Sequence, residues 1–435
     1  MRFIHTADWH LGNQMHEIDR KEEAQVFLKW LKSQIVEKNA DTLVIAGDIF
    51  DTANPPVEAR RLYYSFLASL VDSCCKNVII VGGNHDSASM LESSKELLDV
   101  LNIHVVGSIN NLLPSDMCFE LFDGNGEAEG ICMALPFVRE VELRNLIEPS
   151  EKCSDGDLYK NIYQKLYTSV FNEAEKLRSG RKIPVIATGH LYASDLEGRL
   201  SSKKSSEKSD DGMKILDVLG SLGNVPPSVF PDVDYVALGH IHYSTTVAKN
   251  PSIRYSGSPF VMGFDDASIP HYVLLVDIKK SHSEEKNQPV IEKIETPRTN
   301  IYKRISGKLA EIKKELENLA DKKDGEGGKG DDSRKKLYIE LCYKRELGVN
   351  AQEYLDEAVR SLPENVNVVS WKIAESDVFF ERNSFSNFDA AEVGNLDDKE
   401  IFTQLILSKT GLSAGSEEGK AAVEKFLPLF LELSD

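Results

Sequence analysis

Five short polar motifs close five apolar runs along the first half of this chain, and their repetition constrains the fold more than any other feature. Asp8-Trp9-His10 follows Arg2-Phe3-Ile4, and Gly47-Asp48-Ile49-Phe50-Asp51 follows Thr42-Leu43-Val44-Ile45. Gly83-Asn84-His85-Asp86 follows Val78-Ile79-Ile80-Val81, Gly189-His190 follows Val185-Ile186-Ala187, and Gly239-His240-Ile241-His242 follows Tyr235-Val236-Ala237-Leu238. Short runs rich in Val and Ile and bounded by Gly, Asp and Asn read as buried strands. In an α/β sheet the ligand crevice lies beyond the carboxyl ends of the strands, so all five motifs are expected to converge there.

The segments between the motifs support that reading. Apolar residues at helical spacing recur at Ala24, Phe27, Leu28, Leu31 and Ile35, and again at Ala59, Leu62, Phe66 and Leu70. This βαβαβ rhythm predicts a largely parallel inner sheet. Short strands are expected between Ile103 and Ala134, an amphipathic helix from Leu158 to Leu177, and closing strands at Ile253–Tyr255 and Tyr272–Ile278. Ser201 to Gly212 is nearly devoid of apolar residues and reads as a polar loop. The polar stretch from Lys279 to Asn287 marks a domain boundary, which gives a first domain over 1–278.

A smaller βαβαβ unit follows over 300–375. Its strands are expected near Ile301–Ile305, at Leu337–Tyr343 and at Val366–Ile373, with helices over Lys308–Lys322 and Gln352–Leu362. Gly325 to Gly330 reads as a connector, because a phosphate-binding loop needs a strand immediately before it and a helix immediately after. Residues 385–435 carry two helical patterns, Lys399–Leu407 and Lys420–Leu433. The second crowds Phe426, Leu427, Leu429, Phe430, Leu431 and Leu433 together, apolar surface that would be covered by its own domain or by another protein.

Composition narrows the functional classes. No stretch of the 435 residues approaches the roughly 20 apolar residues that span a bilayer, and the N-terminus lacks a signal-peptide apolar region, so a cytoplasmic location without membrane attachment is expected. None of the six cysteines falls in a CxxC pair, which argues against a zinc finger or a disulfide framework. A net charge of −19 argues against an overall basic nucleic-acid surface. Any contact with a polyanion would draw positive charge from bound metals or from a partner.

The motifs supply oxygen and imidazole donors for two ions. Asp8 and His10, two apart at a strand end, can grip one ion together. Asp48 is the best placed carboxylate to bridge two. Asn84 offers a carbonyl oxygen, and His190, His240 and His242 offer imidazoles. Mixed nitrogen and oxygen ligation without thiolate suits manganese, iron or zinc better than calcium. Two such ions about 3.5–4 Å apart orient a phosphoryl group and neutralise charge on the attacking and leaving oxygens, the requirement of phosphoester hydrolysis. His85 suits a proton donor to the leaving oxygen. Asp51 and Asp86 are expected behind the ligands, with Asp51 orienting an imidazole. His5 is expected close behind the site, and His16, His104, His271 and His282 are expected to be structural.

DxH, GDxxD, GNHD, GH and GHxH in this order resemble the calcineurin-like metallophosphoesterase superfamily. His5-Thr6-Ala7-Asp8-Trp9-His10-Leu11-Gly12, Ala46 to Thr52 followed by Pro55-Pro56, Ala187 to Leu191 and Tyr255-Ser256-Gly257-Ser258-Pro259 are similar to its SbcD branch of bacterial nuclease subunits. The resemblance implies a four-layer α-β-β-α sandwich with a small α/β capping domain for DNA recognition and C-terminal helices that bind the partner. It implies one ion on Asp8, His10, Asp48 and His242 and a second on Asp48, Asn84, His190 and His240, with manganese as the expected metal and His85 catalytic. Relatives from archaea and eukaryotes have a histidine where Asp51 stands, so their role for that position does not carry over. The implied activity is ATP-dependent double-strand exonuclease and single-strand or hairpin endonuclease, on DNA ends and hairpins. The implied assembly is a homodimer within a heterotetramer, with an SbcC-like coiled-coil ATPase. A stand-alone phosphatase or phosphodiesterase, or a non-catalytic scaffold, are the rivals. The capping segment and apolar tail disfavour the first, and the complete ligand set disfavours the second.

Overall fold

A computed structural model of the protein describes residues 1–146, 155–193, 224–279, 288–321, 335–346 and 349–374, with isolated positions beyond. The expected loop at Ser201–Gly212, the Gly325–Gly330 connector, His282 and, but for those isolated positions, both C-terminal helical patterns lie outside the described residues. The chain divides into two compact units, Met1–Asn300 and Ile301–Asp435.

In the first unit, Arg2–Thr6, Thr42–Ala46, Asn77–Val81 and Ile103–Val106 pair in parallel as neighbours in one six-stranded sheet. Side chains on a strand alternate between faces, and the apolar contacts follow that period. Val44, Ile79 and Val81 point into one core, whereas Leu43, Ile45, Val78 and Ile80 point into another. The second core is closed by the helices Lys21–Glu37 and Val57–Leu70 through Phe27, Leu31, Tyr63 and Leu67. Each fully buried aliphatic side chain there contributes roughly 1.5–3 kcal/mol.

The sheet extends on its other side by Tyr272–Asp277 and then Val290–Glu295, both antiparallel. The first unit therefore runs past the polar stretch at 279–287, which interrupts a hairpin. Val290–Glu295 shows four exposed residues of six and half-buries Ile291 and Ile294. So polar an edge strand gave no apolar run to detect.

The second six-stranded sheet orders Thr245–Val247, Asn250–Tyr255, Tyr235–Gly239, Val185–His190, Ala128–Met133 and Cys118–Phe122. Its residues Ile131, Ile186 and Val236 share a core with Phe3, Val44 and Ile79 of the first sheet, and the Phe3 and Tyr235 rings meet edge to face at 5.5 Å. The helix Asp155–Arg178 adds Ile162, Leu166, Val170 and Ala174 at helical spacing to the same cluster and forms the outer layer. The order helix, sheet, sheet, helix is the expected four-layer sandwich, and it brings the carboxyl ends of both sheets' central strands to one edge.

The second unit holds three parallel strands, Ile301–Gly307, Leu337–Tyr343 and Val366–Ile373, in sequence order. Helices Leu309–Ala320 and Ala351–Arg360 cover one face through Ile312, Leu316 and Leu355 against Ile305, Ile339 and Leu341. Asn350 caps the second helix, its side chain accepting from the Gln352 and Glu353 amides. On the central strand the Glu340 carboxylate is fully buried, held by Arg304 at 2.5 Å and Lys372 at 3.1 Å, and these two cations outweigh burial and keep it below the usual carboxylate range.

Candidate metal centre

The loops that leave the first two strands are zipped together by backbone bonds. Asp8 N–H donates to the Gly47 carbonyl at 2.9 Å, His10 N–H to Asp48 at 3.0 Å and Leu11 N–H to Ile49 at 2.9 Å. The geometry is costly. Asp8, His10, Asp48 and His240 all have positive φ, at 54°, 44°, 49° and 102°. Non-glycine residues rarely sit there, and each such residue costs of order 1–3 kcal/mol, strain that clusters at functional sites. Close approach requires glycine at two points. A Cβ on Gly83 would strike the Asp48 backbone and carboxylate, and one on Gly239 would strike the Ala46 carbonyl oxygen and the His190 ring. This explains why the GNHD and GHxH motifs begin with glycine.

Asp48 lies in the middle. Its Oδ2 is 3.6 Å from His10 Nε2 and 3.3 Å from His190 Nε2, and its Oδ1 accepts from the His85 amide at 2.9 Å. Donor atoms of Asp8, His10 and His242 fall within 4.8 Å of one another, as do those of Asp8, Asp48 and His190. Asn84 Oδ1 stands 3.0 Å from both His190 Nε2 and His240 Nδ1. Asp8 accepts from the His240 amide at 3.0 Å. All seven expected ligands are thus brought together.

The donor set fits a cation. His190 Nδ1 donates to the buried Ala46 carbonyl at 2.8 Å, so in the neutral ring Nε2 is a lone pair facing the Asn84 and Asp48 oxygens. His10 Nδ1 likewise donates to Asp51 Oδ1 at 3.2 Å, which aims Nε2 at Asp48 and at His242 Nε2, 3.3 Å away. Electron pairs pointed at one another in a buried site need a proton or a metal ion between them. The titration behaviour agrees. Burial pushes the His190 pKa down, but the Asp48 and Asp8 charges overcome it and raise it to about 9. Burial also pushes Asp48 up, and His190 and His10 overcome that and hold it far below the usual carboxylate range. Asp8 is raised to about 6, chiefly by burial, and His240 and His242 are lowered by burial to about 4 and about 3.

The family model of calcineurin-like phosphoesterases matches residues 1–244. The chain is 32% identical over 327 residues to the SbcD subunit of nuclease SbcCD from Escherichia coli strain K12, covering 74% of each. The chain belongs to the SbcD family of calcineurin-like phosphoesterases. It is also 32% identical over 285 residues to the SbcD subunit of Rhodobacter capsulatus, covering 64% of this chain and 66% of that one. With the SbcD subunit of Staphylococcus saprophyticus it shares 23% over 435 residues, 99% of both chains.

The remaining expected residues fall into two groups. His85 is exposed, its Nδ1 2.7 Å from the Asp51 carbonyl oxygen and its ring 4.9 Å from that of His10. Asp86 is buried and touches none of the proposed ligands' donor atoms through its side chain. Its carboxylate accepts from the amides of Ile49, Phe50 and Gly83, pinning the second and third motif loops together. His5 lies beneath the site between Tyr235 Oη at 3.0 Å and the Leu238 carbonyl at 3.2 Å, and burial lowers its pKa to about 3. His104 pairs with Asp99, and His271 Nδ1 bonds the Ser258 carbonyl, both as structural histidines do.

Sequence reasoning missed two supports. Arg139 Nη2 donates to the Asp86 carbonyl at 2.7 Å, tying the loop of 134–139 to the His85 turn. Tyr167 and Tyr255 donate from within the core to the carbonyls of Thr188 and Leu191, holding the peptide on either side of His190. Arginines and tyrosines distant in sequence carry no spacing signal. Among the described residues no helix is long and apolar enough to cross a membrane.

Proposed function

We propose that this chain is the nuclease subunit of an SbcCD-type complex and hydrolyses DNA phosphodiesters with two divalent ions, manganese by preference. The observation that carries the reading is Asp48 Oδ2, within 3.6 Å of His10 and 3.3 Å of His190 at the junction of two donor groups. Asp8, His10, Asp48 and His242 would hold one ion, and Asp48, Asn84, His190 and His240 the other. Bound there, the pair would activate water and neutralise charge on the phosphoryl oxygens.

The chain's own residues do the rest. His85 donates from Nδ1 to the Asp51 carbonyl, which leaves Nε2 to protonate the leaving oxygen from its exposed ring. Asp51 holds His10 in the tautomer that ligates, and the Ala46 carbonyl does the same for His190. Asp86 fixes the turn carrying Asn84 and His85.

The names of the relatives support a DNA substrate and an SbcC-like coiled-coil ATPase as partner, in a homodimer within a heterotetramer, located in the cytoplasm. The domain scheme of this reading is a nuclease domain, the small α/β unit as DNA-recognition cap, and C-terminal helices that bind the ATPase. Alignment over 99% of the Staphylococcus saprophyticus protein supports a family role for the tail. The chain's charge of −19 makes such help useful for holding DNA.

The test is the purified chain with manganese on linear duplex, hairpin DNA and p-nitrophenyl phosphate esters, with and without the ATPase. Cleavage of both DNAs, with duplex cleavage dependent on the ATPase and ATP, is expected. Rapid turnover of the small ester with intact DNA would make it a stand-alone phosphatase or phosphodiesterase.

A further inference from the structure

Resting on the two-ion reading above, we propose that Asn13 and Arg20 are positioning residues that act through Asp51 to set the affinity of the ion on the His10 side. The carboxylate of Asp51 is 26% exposed, whereas His10 is buried. A carboxylate that reaches water has rotational freedom, so by itself it is a loose anchor for an imidazole. Asn13 removes that freedom. Its Nδ2 donates at 3.0 Å to Asp51 Oδ1, the same oxygen that accepts from His10 Nδ1 at 3.2 Å.

An amide can present either its oxygen or its nitrogen, and at Asn13 the choice is forced by Arg20. A guanidinium only donates, and Arg20 Nη1 lies 3.3 Å from Asn13 Oδ1, so the oxygen must face Arg20 and the NH2 group must face Asp51. A cavity of about 260 Å³, lined in part by His10, Asn13, Arg20 and Phe260, gives the amide room to turn over if Arg20 did not hold it. Arg20 is itself fixed. It is buried, donates from Nε to Glu23 at 2.7 Å and from Nη1 to the Val261 carbonyl at 2.7 Å, and stacks 5.4 Å from the Phe260 ring centroid. Because Glu23 balances its charge, Arg20 acts on the metal centre through orientation. The chain Arg20, Asn13, Asp51, His10 thus runs from the start of the first helix to one half of the site, and nothing equivalent touches the His190 half, whose anchor is a backbone carbonyl.

The test is titration of the full chain with manganese, read by calorimetry and by electron paramagnetic resonance of the coupled pair. Asn13→Asp keeps the shape and the Arg20 contact but removes the donor to Asp51, and Asn13→Ala removes both. In each, one binding step should weaken roughly 10- to 100-fold, the scale for residues that orient a ligand, while the other stays within about threefold. The metal-free melting temperature serves as the structural control. An Asn13→Asp chain that binds both ions as the wild type does would overturn the relay, as would equal weakening of both steps with a fall in melting temperature. A wild-type chain that takes up no pair of ions would instead overturn the two-ion reading, and the relay with it.

Discussion

His10 and His190 flank the same carboxylate, and the difference in how they are anchored separates the two halves of the centre. His190 leans on the Ala46 carbonyl, a backbone atom at the end of a fully buried strand. His10 leans on Asp51, a side chain that is partly in water. Backbone anchors move only when the sheet moves, whereas side-chain anchors can be altered by a single substitution. One half is therefore set by the fold and the other by replaceable residues, and substitutions can be sorted by which half they disturb.

The largest effect should come from the residue common to both. Asp48→Asn removes the charge between His10 and His190, so both ions and hydrolysis should be lost together. Substantial manganese-dependent cleavage by this variant would end the idea of a shared bridge. Next in size is a residue proposed to ligate neither ion. His85→Gln or His85→Ala should keep both ions and DNA affinity while losing roughly 10² to 10⁴ in rate, the scale of general acid–base catalysis. Loss of metal on elemental analysis would make His85 a ligand, consistent with the donor group it forms with His10 and Asp51.

How much of this was legible in the sequence follows the same division. The ligands were visible because each sits directly after a strand whose apolar run announces it, and the four layers followed from the period of those runs. Asp51 was readable because it lies three residues after Asp48 in the same loop. Asn13 and Arg20 were not, since their partners Asp51, Glu23 and Val261 come together only when the first helix docks. The edge strand Val290–Glu295 was hidden by its own polarity, and so the end of the first unit was set too early. Positive φ at Asp8, His10, Asp48 and His240 had no sequence signature, because the usual marker of that conformation is glycine or asparagine and these residues are there for their donor atoms.

A smaller effect should split the halves. Asp51→Ala leaves His10 Nδ1 without its acceptor, so the ion on Asp8, His10 and His242 should bind about 10- to 100-fold more weakly while the His190 ion is spared. Two manganese affinities resolved by calorimetry check this. Equal loss at both steps would mean that the halves are coupled through Asp48 and would remove the distinction drawn above.

The smallest effect concerns protons, and here the His190 half is the sensitive one. In the metal-free protein the Asp48 charge overcomes burial and holds the His190 pKa at about 9, so at neutral pH a proton occupies the position an ion must take. Binding has to expel that proton. Affinity should therefore rise with pH, by about tenfold per unit, and level off above about 9. His240 and His242, lowered to about 4 and about 3, are already neutral and add no slope. Asp8, raised to about 6, adds a further loss of affinity only when pH falls through that value. His10 is raised as well, by its bond to Asp51 and the Asp48 charge working against burial, so its half shares the sign. Titrations in buffers of different ionisation enthalpy count the protons released. An affinity that stays flat between about pH 6.5 and 8.5, with no proton release, would mean that His190 is neutral before the metal arrives, and that the Asp48 charge is balanced by some other group.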